Sequence, residues 1–105
     1  RIPNAKVAEY TNGTYDVKYK NIQDTIFNYG KNGELQYFVV IKNKGKVPFY
    51  SYHYDVNGNI IGVEIKPDIY HSYIYDLKGI LTKYVIDDKT YTANGKMILR
   101  KKNSF

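Results

Sequence analysis

Ser51, His53 and Asp55 are the residues whose types first invite chemistry, a hydroxyl, an imidazole and a carboxylate at alternate positions. A strand alternates its side chains, so all three share one face with Cα atoms about 6.5–7 Å apart at each step. Nucleophilic catalysis needs contacts of roughly 2.6–3.2 Å and usually draws its groups from separate elements. The spacing therefore predicts polar residues on the solvated side of a strand, not a triad. His53 and His71 fall on opposite faces of the strand pattern set out below, which speaks against a shared metal site. The chain has no Cys, which removes disulfides, thiol catalysis and thiolate-ligated metals. Asp55 and Asp76 stand just before turns, where a carboxylate accepts turn amides without any catalytic role. No catalytic residue, metal site or cofactor is expected.

Charge suggests binding instead. Lys and Arg number 16 against 10 Asp and Glu, a net charge of +6. Two basic clusters, Lys42, Lys44, Lys46 and Arg100, Lys101, Lys102, are the candidate anion-binding residues, for an acidic polysaccharide ahead of a nucleic acid. The competing account is that turn and edge lysines keep a sheet soluble and block edge pairing. Thirteen Tyr and four Phe with no Trp suit a pleated, half-buried surface. Their register places most of them facing a core, leaving Tyr37, Tyr19 and Tyr70 as rings free to stack on a ligand.

These residues are positioned by a repeated turn. Tyr29 to Gly33, Tyr54 to Gly58, Tyr75 to Gly79 and Tyr91 to Gly95 each read Tyr-x-x-x-Gly, with an apolar residue two places on. Asn12-Gly13 is a fifth turn without the Tyr. Asn-Gly favours a two-residue type I′ loop, so Gly13, Gly33, Gly58, Gly79 and Gly95 are the expected structural turn residues. That loop pairs Tyr54 with Ile61, Tyr52 with Val63 and Tyr50 with Ile65. It also pairs Tyr75 with Thr82, Tyr73 with Tyr84, Phe27 with Phe38, Tyr91 with Ile98, Tyr10 with Tyr15 and Ala8 with Val17. Connecting turns at 43–46, 66–68 and 87–89 complete a single all-β domain, residues 1–105. It is an antiparallel meander of about ten strands, at 5–11, 14–20, 25–31, 34–42, 47–56, 59–66, 69–77, 80–86, 89–93 and 96–102. Its aromatic face needs cover, which favours curling into a barrel-like or two-layer roll.

Tyr54-Asp55-Val56-Asn57-Gly58-Asn59-Ile60 and Tyr75-Asp76-Leu77-Lys78-Gly79-Ile80-Leu81 resemble the YD repeat of bacterial RHS-type proteins, and the related MORN-variant repeats. With weaker copies, in which Gly30 and Thr92 replace the Asp, the resemblance spans residues 25–102. It implies a non-catalytic bacterial β-repeat module, often secreted or surface-exposed, with a structural or binding role. A small-ligand carrier and an antitoxin- or immunity-type protein partner are further readings of the same resemblance and fold. The longest apolar run, Tyr37 to Ile41, is far too short to span a membrane as a helix. A chain that starts at Arg1 without Met suggests a processed or trimmed form.

Overall fold

The structure is a computed structural model describing residues 4–103. Among these residues ten strands follow one another as β1 (Ala5–Glu9), β2 (Tyr15–Tyr19), β3 (Thr25–Tyr29), β4 (Leu35–Lys42), β5 (Phe49–Tyr54), β6 (Ile60–Asp68), β7 (His71–Tyr75), β8 (Leu81–Ile86), β9 (Lys89–Thr92) and β10 (Met97–Arg100). Each pairs antiparallel with the next, giving one sheet in strict chain order. The sheet curls into a half-barrel measuring 36 × 27 × 27 Å. Its two edges touch over one antiparallel bridge, Tyr10 to Lys101. Thr11 N–H donates to Arg100 O at 2.9 Å and Lys102 N–H to Glu9 O at 2.7 Å across that seam. The end of β10 meets the end of β1 and not its start. Strands in a sheet curled far enough for its edges to touch must tilt and stagger in this way.

The glycine turns differ from the two-residue loop expected from sequence. Gly13, Gly33, Gly58, Gly79 and Gly95 have φ of 87°, 88°, 85°, 82° and 94°, while the residues before them are not left-handed. Gly58 N–H donates to Asp55 O at 3.0 Å and Asp55 N–H to Asn59 O at 2.9 Å. That is a three-residue loop, a type I turn closed by a left-handed glycine bulge. The extra residue shifts the nearest pairs by one, so Tyr54 faces Ile60, Tyr75 faces Leu81 and Tyr91 faces Met97. Deeper in the sheet Tyr52 faces Val63, Tyr50 faces Ile65, Tyr73 faces Tyr84 and Phe27 faces Phe38 as expected. The β1–β2 hairpin carries the shift along its whole length, pairing Ala8 with Asp16 and Glu9 with Tyr15. A slip of one residue turns a strand over. Lys6 and Ala8 consequently join the face of Asp16 and Lys18.

The direction of curl also overturns an expectation. The enclosed concave face is the mixed one, carrying Ala8, Asn28, Val39, Ser51, His53, Ser72, Ile74 and Thr90, all buried. Ser51 and His53 are thus interior residues, not solvated ones. The aromatic face is convex, and its members are half-buried or, like Tyr50 at 41%, exposed. The reason is geometric. The concave side has room for few rings among mostly short side chains, while pleats fan apart outside and admit a continuous layer of them. Outside, the rings cover one another: Phe27 lies 5.9 Å from Phe38, Phe38 stacks on Tyr54 at 5.1 Å, and Tyr84 stacks on Tyr91 at 5.1 Å. Such pairs add about 0.5–1.5 kcal/mol each beyond area burial. Val17, fully buried at the root of this layer, pairs with Val7 and Phe27.

Candidate functional site

Two polar networks fill the lumen. In the first, Tyr10 donates its hydroxyl to Asp16 Oδ2, and Asn28 Nδ2 donates to Asp16 Oδ1 at 2.8 Å. Burial pushes the Asp16 carboxyl above its ordinary value, against the pull of those two hydrogen bonds and of Lys101. The buried Asn28 Oδ1 has no hydrogen-bond partner among the described residues. In the second, His53 Nε2 lies 2.8 Å from Glu64 Oε1, and the Tyr37 ring stacks on the imidazole at 5.7 Å. Burial raises the Glu64 carboxyl, but His53, Ser72 and Lys66 outweigh it and hold the group below its usual range. Lys83 reaches from β8 to within 5.8 Å of the Tyr37 ring on β4, which fixes this face as the inside.

Apart from Asn28 Oδ1, the polar groups of the two networks are paired with one another. His53 and Glu64 pair with each other, and neither Ser51 nor Asp55 completes a hydrogen-bonded triad with them. Asp55 belongs to its turn, with Oδ1 accepting from Asn57 N–H and Asn59 N–H at 2.9 Å each. Asp76 does the same for Lys78 and Ile80. His71 is on the outer face, with Nδ1 at 2.8 Å from Asp68 Oδ1. No group of three potential metal-binding side chains occurs among the described residues.

The feature suited to a ligand is at the rim opposite the glycine turns. The start of β1, the end of β2 and the 20–24 turn surround a hollow of about 960 Å³. Lys6, Lys18 and Lys44 line it together with Asp24, and Asp24 lies 3.5 Å from Lys44. Lys6 and Lys18 are direct cross-strand partners on the concave face. Burial, then the charges of Lys44, Lys101 and Lys6, push the Lys18 amine below its ordinary value. Like charges directly opposite on a sheet destabilise it. A local rule broken in this way is what a binding site tends to show.

Of the six basic residues singled out from sequence, Lys44 lines this hollow and Lys101 acts on Lys18 from the seam. Lys42, Lys46, Arg100 and Lys102 are exposed outside it. Lys6 and Lys18 were missed, and the signal for them was their opposition once β1 is shifted by one. Of the three rings expected to be free, Tyr37 is committed to the lumen. Tyr19 lines the hollow with its hydroxyl 2.9 Å from that of Tyr29, and Tyr70 is 58% exposed. Comparison with known proteins returned no matching family model, no matching curated protein and no matching solved structure. No helix of the described residues is long and apolar enough to cross a membrane.

Proposed function

We propose that this chain is a non-catalytic binding module that receives a small anionic ligand in the lysine-lined hollow. The supporting observation is the placement of Lys6 and Lys18 as cross-strand partners inside a concave site, with Lys44 beside them and Lys101 acting on Lys18. An anion set between these amines relieves their mutual repulsion, so its binding is favoured in proportion. Partial burial of Lys18 lessens the screening of its contact relative to a surface lysine. The Tyr-x-x-x-Gly turns support a bacterial, secreted or extracytoplasmic setting through their likeness to YD and MORN-variant repeats.

Calorimetry with inorganic phosphate at low ionic strength tests the reading. Binding is expected that weakens as salt rises and that drops at least about tenfold in Lys18→Met, one lost charge pair being worth roughly 1.4 kcal/mol in a part-buried site. Absence of any phosphate-dependent heat in the wild-type chain removes the proposal.

A further inference from the structure

The hollow is not uniformly polar. Ile41 reaches it from the end of β4 and Ile22 from the 20–24 turn. Ile22 remains 41% exposed. A site built only for a hydrated ion has no use for two isoleucines beside its lysines. Ligand pockets pair a largely apolar lining with a few charged groups that fix orientation. The hollow, of about 960 Å³, is open to solvent on one side. Its inner end is stopped by the packed lumen, where Ala8 and Val39 are buried.

We infer that the ligand of this hollow is an amphipathic carboxylate, its head held between Lys6 and Lys18 and its short apolar body laid along Ile22 and Ile41. The inference rests on the anion-binding reading and names the chemical class that the same site selects. The body must be short, because the packed lumen prevents it from running down the axis. It lies across the rim with one side open to water, so only part of its apolar surface is removed from solvent.

The experiment is calorimetry on the full chain with octanoate, acetate and inorganic phosphate under one low-salt condition. Octanoate is expected to bind at least about tenfold more tightly than acetate, since several partly buried methylenes contribute. Ile22→Ser, at an exposed turn position, should remove most of that advantage while leaving phosphate binding unchanged, and Ile41→Thr should do the same by a second route. Equal affinity for octanoate and acetate, with phosphate still bound, overturns this inference alone. An octanoate advantage that survives both substitutions also overturns it, because the apolar contact then lies elsewhere. Failure of phosphate to bind removes the underlying reading as well.

Discussion

Single residues carry two separable kinds of backbone demand. At Gly58 the φ of 85° is left-handed, and an added Cβ would meet nothing within 4 Å. Gly58→Val is therefore expected to destabilise by at least ~1 kcal/mol through backbone conformation alone. Gly62 has no such φ, yet a Cβ there would stand 2.8 Å from the Tyr75 carbonyl oxygen, where β6 and β7 approach. Gly62→Ala should cost ~1–3 kcal/mol by forcing those strands apart. Chemical denaturation separates the two causes if asparagine is placed at each site, since asparagine tolerates left-handed φ but not a clash. Gly58→Asn should be milder than Gly58→Val, whereas Gly62→Asn should be no milder than Gly62→Ala. The five glycine corners were legible in sequence because each is a local demand. The acceptor before each glycine varies more. Asp55 and Asp76 use carboxylates, while Thr92 offers its hydroxyl oxygen to Lys96 N–H at 3.1 Å. At Gly30 the Glu34 carboxyl occupies the space a side chain would need.

Strand pairs set the response to pH, and the two lumen carboxyls act with opposite signs. Glu64 is held below its ordinary value of 4.5. Its contribution to stability is therefore complete above pH 4.5 and is lost as pH falls through the lowered value. Asp16 is raised above 3.8. Folding is then penalised as pH climbs from 3.8 through the raised value, because the buried group must ionise. Melting curves across acidic pH should thus fall less steeply in Glu64→Gln than in the wild type. Asp16→Asn should gain relative to the wild type as pH rises towards neutral. Parallel curves for both variants would show that neither carboxyl changes ionisation as described. Pairing between elements was read correctly where a bulge beside the turn restores the expected register deeper in the sheet. Which face turns inward was not, because alternation states that two faces differ without stating the sense of curl. Lys6 and Lys18 were hidden for the same reason. Their opposition follows from a one-residue bulge that Asn12-Gly13 does not announce.

Across the whole molecule, charge placement ties stability to binding. Lys18 sits below its ordinary 10.5 because burial and three neighbouring lysines oppose its charge. A depressed lysine costs stability at neutral pH and stops doing so as pH rises through its lowered value. Lys18→Met should accordingly melt at a higher temperature than the wild type at pH 7 while losing phosphate affinity, the exchange expected of a binding residue. A lower melting temperature would mean that Lys18 supports the fold. The exposed basic residues outside the hollow make a different test. If the chain binds acidic polysaccharide along its surface, retention on heparin should fall with Lys42→Gln and Lys102→Gln and be unaffected by Lys18→Met.

The seam between β1 and β10 has a kinetic consequence. Every other strand pairing joins neighbours in the chain, whereas Glu9 and Asn103, linked by two hydrogen bonds at 3.0 and 3.1 Å, stand 94 positions apart. Ordering the chain between them has a loop-closure cost that no hairpin bears. Assembly should proceed by successive hairpin addition, with the rim fastening last. Asn103→Ala is then expected to accelerate unfolding and leave the refolding rate almost untouched, the mark of a contact absent from the transition state.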